Sequence, residues 1–359
     1  MTNPPLAALR QRLWQELDML CRLGLGLAPI ATSVCAVLRQ LVGADAVALF
    51  WLDEQGLPAG FYHEDSPAEA QNLFLNEYHR LFAGQNEVNI TALARRQGQV
   101  VGHMLAPDAA YFRSNTYNLL VRASGHHHTL DLRVEVNGRT RAVVALFRAP
   151  GLAFNDEDAA LLERASISLQ RAFIRPGSVQ LGTRIDGGLG HVLLDAKSLH
   201  PLLADAHATR LLREANLPGL GLQGGTEGQL PPDLLTHLGL GPQQSAQISV
   251  PDGLLDAQMS RLLPVHSGTD GSGQWLLTLQ LQRPLQIEVV RQVLALPLSP
   301  LQREIAALAG LGYARAECEG LTGVGSAALK KHLRTILEVT HSQDWEDLAQ
   351  RLQRKIEAP

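Results

Sequence analysis

TLDLRVEVNGRTRAVVALFRA, Thr129–Ala149, sets the fold of the N-terminal half of this chain. Leu130, Leu132, Val134 and Val136 alternate with Asp131, Arg133 and Glu135, the period of two that belongs to a β-strand. Asn137-Gly138 follows. Both central residues of a type I′ turn need positive φ, and this dipeptide tolerates that. Arg139 to Arg148 repeats the alternation in return, so the stretch predicts an antiparallel hairpin.

Working upstream, DAVALFWLD (Asp45–Asp53) is a compact strand and GLPAGFYHE (Gly56–Glu64) its hairpin partner. Apolar periodicity predicts helices over Ala28–Leu41 and Ala68–Phe82, the latter rich in aromatics. Gln97–Leu105 reads as a further strand and Ala109–Leu120 as helix or loop. Downstream, Asn155 caps a helix running to about Phe173, with Asp156, Glu157 and Asp158 at its positive end. Helix, strands, helix, paired hairpin and closing helix make an α+β domain with an antiparallel sheet. Ahead of it, Leu6, Leu9, Leu13, Leu17, Leu20 and Leu23 recur at helical spacing. They mark either a packed first helix or a dimerisation helix.

This layout, with the terminal VVALFRAPGLAFNDEDAALLERA, resembles a GAF domain over Leu25 to Arg175, which implies a small-molecule or cofactor-sensing module. IRPGSVQLGTRIDGG then reads as a linker. GHVLLDAKSLHPLLADAHATRLLREA supplies a short strand, a turn at Lys197-Ser198, a second strand and a helix, the way a PAS domain begins. Leu217–Gly253 is rich in Gly, Pro and Gln and is expected to be mostly loop. GQWLLTLQLQRP is a late strand able to close the sheet.

From Leu298 the chain reads LSPLQREIAALAGLGYARAECEGLTGVGSAALKKHLRTILEVTHSQDWEDLAQRL. Ser299 caps a helix with Gln302 closing the capping box, and Gly312 ends it. Ala314–Leu321 is a second, short helix and Thr322-Gly323-Val324-Gly325 a tight turn. Ser326 opens a third helix, with Leu329, Leu333 and Ile336 inward and Lys330, Lys331 and Arg334 elsewhere. Asp344–Ile356 is a fourth. A short helix after a tight turn, carrying free cations, has what groove recognition needs.

Through Leu298-Ser299-Pro300, Arg303-Glu304-Ile305, Gly312, Glu317, Gly323-Val324, Lys330-Lys331-His332 and Ile336, the segment resembles the LuxR-type helix-turn-helix family. The resemblance implies a four-helix DNA-binding domain acting as a dimer on two-fold sites, with Lys330, Lys331 and Arg334 on phosphates and Ser326 and Ala327 nearest the bases. It departs from the family at Leu301-Gln302, Cys318, Ala328-Leu329 and Val339-Thr340. The expected architecture is therefore multidomain α+β: an amphipathic helix at 1–24, a GAF-like sensor at 25–175, a PAS-like module at 176–285, and a linker helix with an all-α LuxR-type domain at 286–359.

The formal charge of −4 excludes a dedicated non-specific DNA coater and confines any DNA contact to a local patch. Three scattered cysteines, Cys21, Cys35 and Cys318, form no CxxC pair. No secretory signal opens the sequence and no apolar run approaches the roughly 20 residues of a membrane span, so a cytoplasmic protein is expected.

Tyr62, His63, Phe74, Tyr78, His79, Phe82, Tyr111, Phe112 and Tyr117 gather in the GAF-like segment of a chain with only 5% aromatics. They suit either a domain core or a pocket for a small apolar or aromatic ligand near Tyr62, His63, Tyr78 and Tyr111. His63 and His79 are the haem-ligand candidates, though no spacing selects a cofactor. In His126-His127-His128 only the outer two share a strand face, too few for a metal site. No GxSxG, Walker A, HExxH or dinucleotide fingerprint marks an enzyme. The reading is a one-component transcription regulator; the alternative is a diverged relative that binds a protein instead of DNA.

Overall fold

The computed structural model describes residues 4–82, 84, 87–174, 181–217, 220, 230–240, 245–263 and 273–354. It is a mixed α/β chain whose described strand pairings are antiparallel. It begins with α1 (Pro4–Cys21). The GAF-like segment then runs α2 (Ala31–Val42), β1 (Ala46–Leu52), β2 (Pro58–His63), α3 (Ala68–Glu77), α4 (Ile90–Arg95), β3 (His128–Val136), β4 (Arg139–Arg148) and α5 (Asp156–Arg171). Next come β5 (Thr183–Leu194), β6 (Pro201–Ala204), α6 (Ala206–Glu214), α7 (Leu234–His237), β7 (Ser245–Val250), β8 (Gly253–Leu262) and β9 (Gln274–Pro284). The C-terminal helices are α8 (Leu285–Ala295), α9 (Pro300–Gly310), α10 (Arg315–Thr322), α11 (Ser326–Thr340) and α12 (Trp345–Gln353).

The first sheet has the order β2-β1-β4-β3. β1 and β4 are central, and every residue of Ala46–Leu52 is buried. Both faces are covered, so these strands carry apolar runs where a half-exposed strand would alternate. α2 packs on one face. The other meets an apolar cluster built from Phe50, Phe61, Phe74, Tyr78 and Phe82. The Asn137-Gly138 turn has φ of 51° and 73°, as a type I′ hairpin requires.

Two expectations are corrected here, and one left open between helix and loop is resolved. Gln97–Leu105 is not a strand: Val101 makes an isolated bridge to Leu132, and glycines at φ of 87° (Gly98) and 80° (Gly102) interrupt it. The segment lies along the free edge of β3, where the Gly102 N–H donates to Asp131 O and the Arg133 N–H to Val100 O. Ala68–Phe82 is not one α-helix, for it becomes a π turn at Tyr78–Phe82. Ala109–Leu120 resolves into a 3-10 turn at Tyr111–Arg113 and a π turn at Thr116–Val121.

The second sheet has the order β6-β5-β9-β8-β7. Asp205 caps α6 by accepting from the Ala208 N–H at 2.7 Å. Gly190 of β5 lies directly beneath that helix start, where a Cβ would come within 2.6 Å of Ala208 Cα. Leu217–Gly253 is less loop-like than expected, since it contains α7 and β7 and leads straight into β8. Parts of it, 218–219, 221–229 and 241–244, lie outside the described residues, as does 175–180 of the linker.

By internal packing the chain divides into two units. One comprises Met1–Gly26, Arg171–Arg184 and Arg283–Pro359, the other Leu27–Gln170 and Ile185–Gln282. In the first, α1 packs on α8 and α9. Leu13, Leu17, Leu20 and Leu23 are buried and Leu9 is exposed; the Leu6 side chain lies outside the described residues. Arg12 donates to Leu294 O at 3.1 Å, and Arg22 pairs with Glu304 at 2.8 Å. Four leucines of the stripe, Leu13, Leu17, Leu20 and Leu23, are thus packed within the chain, on the helix that meets α8 and α9. Among the described residues no helix is long and apolar enough to cross a membrane, and all three cysteines are free and buried.

Candidate functional site

On the sheet face opposite α2, a cavity of about 80 Å³ opens beneath α3, its π turn and the turns around Tyr111 and Tyr117. The strand period chooses its wall. Phe61 and His63 of β2 line it, whereas Tyr62 between them faces the other way and is not a lining residue. Burial beside Cys35 and Glu64 raises the Tyr62 phenol to about 12. Of the four residues expected near a ligand, Tyr62 thus lies off the cavity, while His63, Tyr78 and Tyr111 line it. The His79 side chain lies outside the described residues.

Aromatic rings build most of the wall. Phe61 and Phe74 meet edge to face at 4.9 Å between centroids, and Phe74 and Tyr78 do so at 5.3 Å. Such pairs contribute about 0.5–1.5 kcal/mol beyond the area they bury. Several polar tips are already engaged. The Tyr78 hydroxyl is hydrogen-bonded to Thr91, and the Tyr111 hydroxyl meets Thr129 at 3.5 Å. Asn89 donates to Phe82 O and accepts from the Ala92 N–H at 2.8 Å, so it both caps α4 and pins the π turn.

Two residues outside the expected set complete the wall. Phe147 of β4 stacks on His63 at 5.4 Å and on His126 at 5.3 Å. Position parity could have found Phe147, because Val143, Ala145 and Phe147 share one face of β4. His126 precedes β3, and Gly125 at φ 78° turns it inward. The run of three histidines does not act as one cluster: His127 bonds the Tyr117 hydroxyl at 2.7 Å, and the histidine ring beside His126 across the wall is His63 at 6.2 Å. No group of three metal-ligating side chains occurs among the described residues.

The second candidate surface belongs to the C-terminal helices. The capping box at the start of α9 is formed, with Gln302 accepting from the Ser299 N–H at 2.9 Å. Gly323 takes φ 67° and ends α10, leaving two residues before α11. Leu329, Leu333 and Ile336 of α11 are buried. Ser326, Ala327, Lys330, Lys331 and Arg334 are all exposed, and the 3.6-residue period gathers them on the opposite face. Arg334 pairs with Glu338 at 3.1 Å. Lys330 and Lys331 make no hydrogen bond or ion pair among the described residues.

No curated protein matches the chain. Among solved structures, the crystal structure of the E. coli DhaR(N)–DhaL complex is similar at 14% identity, covering 78% of this chain and 90% of that one, with a TM-score of 0.19. Residues 26–173, the segment that carries the cavity, match the GAF domain family.

Proposed function

We propose that the chain is a one-component DNA-binding transcription regulator. Its GAF domain senses a small ligand and α11 is its recognition helix. The observation that carries the DNA reading is the exposed face of α11: two lysines without an ion pair among the described residues, one turn in from the helix start, beside Ser326 and Ala327, on a helix anchored by its opposite face. Cations in that position meet phosphates, and small residues at the first turn come closest to base edges. The turn geometry at Gly323 and the helix order α9 to α12 support the LuxR-type reading of residues 286–359. Two strands, a helix and a three-stranded return that closes beside the first strand support the PAS-like reading of the middle module.

In this reading the protein works as a homodimer, because a two-fold DNA site calls for two recognition helices. A ligand in the GAF cavity shifts the arrangement of the output helices only as far as it binds one arrangement better than the other. The ion pair of Arg334 with Glu338 favours a second reading, in which α11 contacts a protein, because it takes one cation out of play.

Selection of genomic fragments by the full chain at low salt separates the two. The DNA reading expects enrichment of a shared, two-fold motif. Uniform recovery of all fragments would assign the helix to a protein partner.

A further inference from the structure

His126 is buried to 6% exposure in the cavity wall, and neither of its ring nitrogens has a hydrogen-bond partner among the described residues. Leaving a buried donor or acceptor unpaired is costly, and a bound polar group that pairs with it removes that cost. The His63 ring is its neighbour at 6.2 Å, and both rings flank Phe147. The Asp65 N–H donates to His63 Nδ1 at 3.0 Å, so the neutral His63 ring carries its proton on Nε2. Together the pair offers a donor from His63 and one donor and one acceptor from His126. Burial keeps both rings neutral: it lowers His63 to about 4, helped by His126 and opposed by Asp65, and it lowers His126 against Asp65 and Asp45.

No Asp, Glu, Lys or Arg is among the described residues lining the cavity, so an ion entering it would lose its hydration without a counter-charge. The volume, about 80 Å³, is roughly half the ~150 Å³ of an engineered cavity that takes up benzene. An occupant is therefore no larger than one small ring, and such a ring reaches into the open mouth of the cavity.

We propose that the GAF cavity binds a small uncharged molecule bearing one hydroxyl or amide group, and that His126, with His63, is the specificity-determining pair that reads that group. The proposal rests on the sensor reading of the cavity. A metal is disfavoured, since two histidines without a third ligand do not make a protein-bound centre.

Calorimetric titration and thermal shift of the full chain with phenol, toluene and benzoate test it. Phenol should bind at least about tenfold tighter than toluene, and benzoate more weakly than either, since only phenol pairs with the imidazoles without carrying charge. His126→Phe keeps the stack on Phe147 and should reduce phenol to the level of toluene while leaving toluene unchanged; His126→Gln, which retains a donor and an acceptor, should keep the preference. Equal affinity for phenol and toluene in the wild type, tightest binding of benzoate, or a preference that survives His126→Phe would overturn the assignment while leaving the cavity a ligand site. Binding of none of the three would remove the sensor reading of the cavity itself. Should His126→Phe not fold, the wild-type ratio of phenol to toluene decides.

Discussion

His63 couples the cavity wall to proton concentration. Its folded value of about 4 lies below the unperturbed 6.5, through burial first and His126 second, with Asp65 opposing. The unfolded chain therefore binds the proton more readily. The stability that the neutral ring permits is complete above about pH 6.5 and is lost as pH falls toward 4. The full shift corresponds to at most roughly 3 kcal/mol. Urea unfolding between pH 7 and pH 4 should show a steeper loss for the wild type than for His63→Phe, and parallel curves would contradict this. Arg148 is a second residue with consequences beyond its own strand. It donates to Gly43 O at 3.0 Å, Val42 O at 2.9 Å and Ala153 O at 3.1 Å, pairs with Asp158 at 3.0 Å, and lies 4.1 Å over the Phe154 ring. It ties the end of α2 to β4 and the start of α5. Arg148→Met leaves a largely buried Asp158 without its partner and should cost about 3–5 kcal/mol in urea unfolding. A loss under about 1 kcal/mol would mean that solvent replaces these bonds.

At the scale of elements, the sequence was most informative where periodicity and capping agree. The Asn137-Gly138 hairpin, the Asn155 helix start and the Ser299 capping box are local devices, each decided by a few adjacent residues, and each formed. β7 was hidden by composition: in SAQISV only Ala246, Ile248 and Val250 turn inward, and the surrounding Gly, Pro and Gln masked that short alternation. The break after Glu77 had no local cause strong enough to read. It goes with a partner distant in sequence, Asn89 on the Phe82 carbonyl. The candidate site was half legible for the same reason. Residue types pointed to the aromatic cluster, but strand parity alone separates His63 from Tyr62, and the role of His126 needs the fold. The C-terminal helices offer a direct check on their packing. A Cβ on Gly310 of α9 would come within 2.5 Å of Val289 Cγ1 on α8 and 3.1 Å of Leu352 Cβ on α12. Gly310→Ala should therefore destabilise by about 1–3 kcal/mol, despite the better helix propensity of alanine. A stabilised variant in thermal unfolding would show that these three helices do not pack this way.

The whole molecule brings together segments far apart in sequence. The N-terminal helix and the C-terminal helices form one unit, and the two sheets belong to the other. Burial of Leu13, Leu17, Leu20 and Leu23 of α1 weakens one motive for dimerisation but not the other, since the proposed two-fold DNA site still needs two copies. Light scattering at micromolar concentration should give twice the chain mass, and a monomer both with and without DNA would contradict that proposal. The DNA reading itself stands or falls on electrostatics at α11. Each phosphate that a lysine neutralises releases condensed counterions and adds about one unit to the slope of log affinity against log salt. The most direct measurement is that slope for the full chain on an enriched duplex, wild type against the double variant Lys330→Ala, Lys331→Ala. The double variant should bind every sequence more weakly, with a slope flatter by roughly two. An unchanged slope and unchanged affinity would place α11 off the DNA.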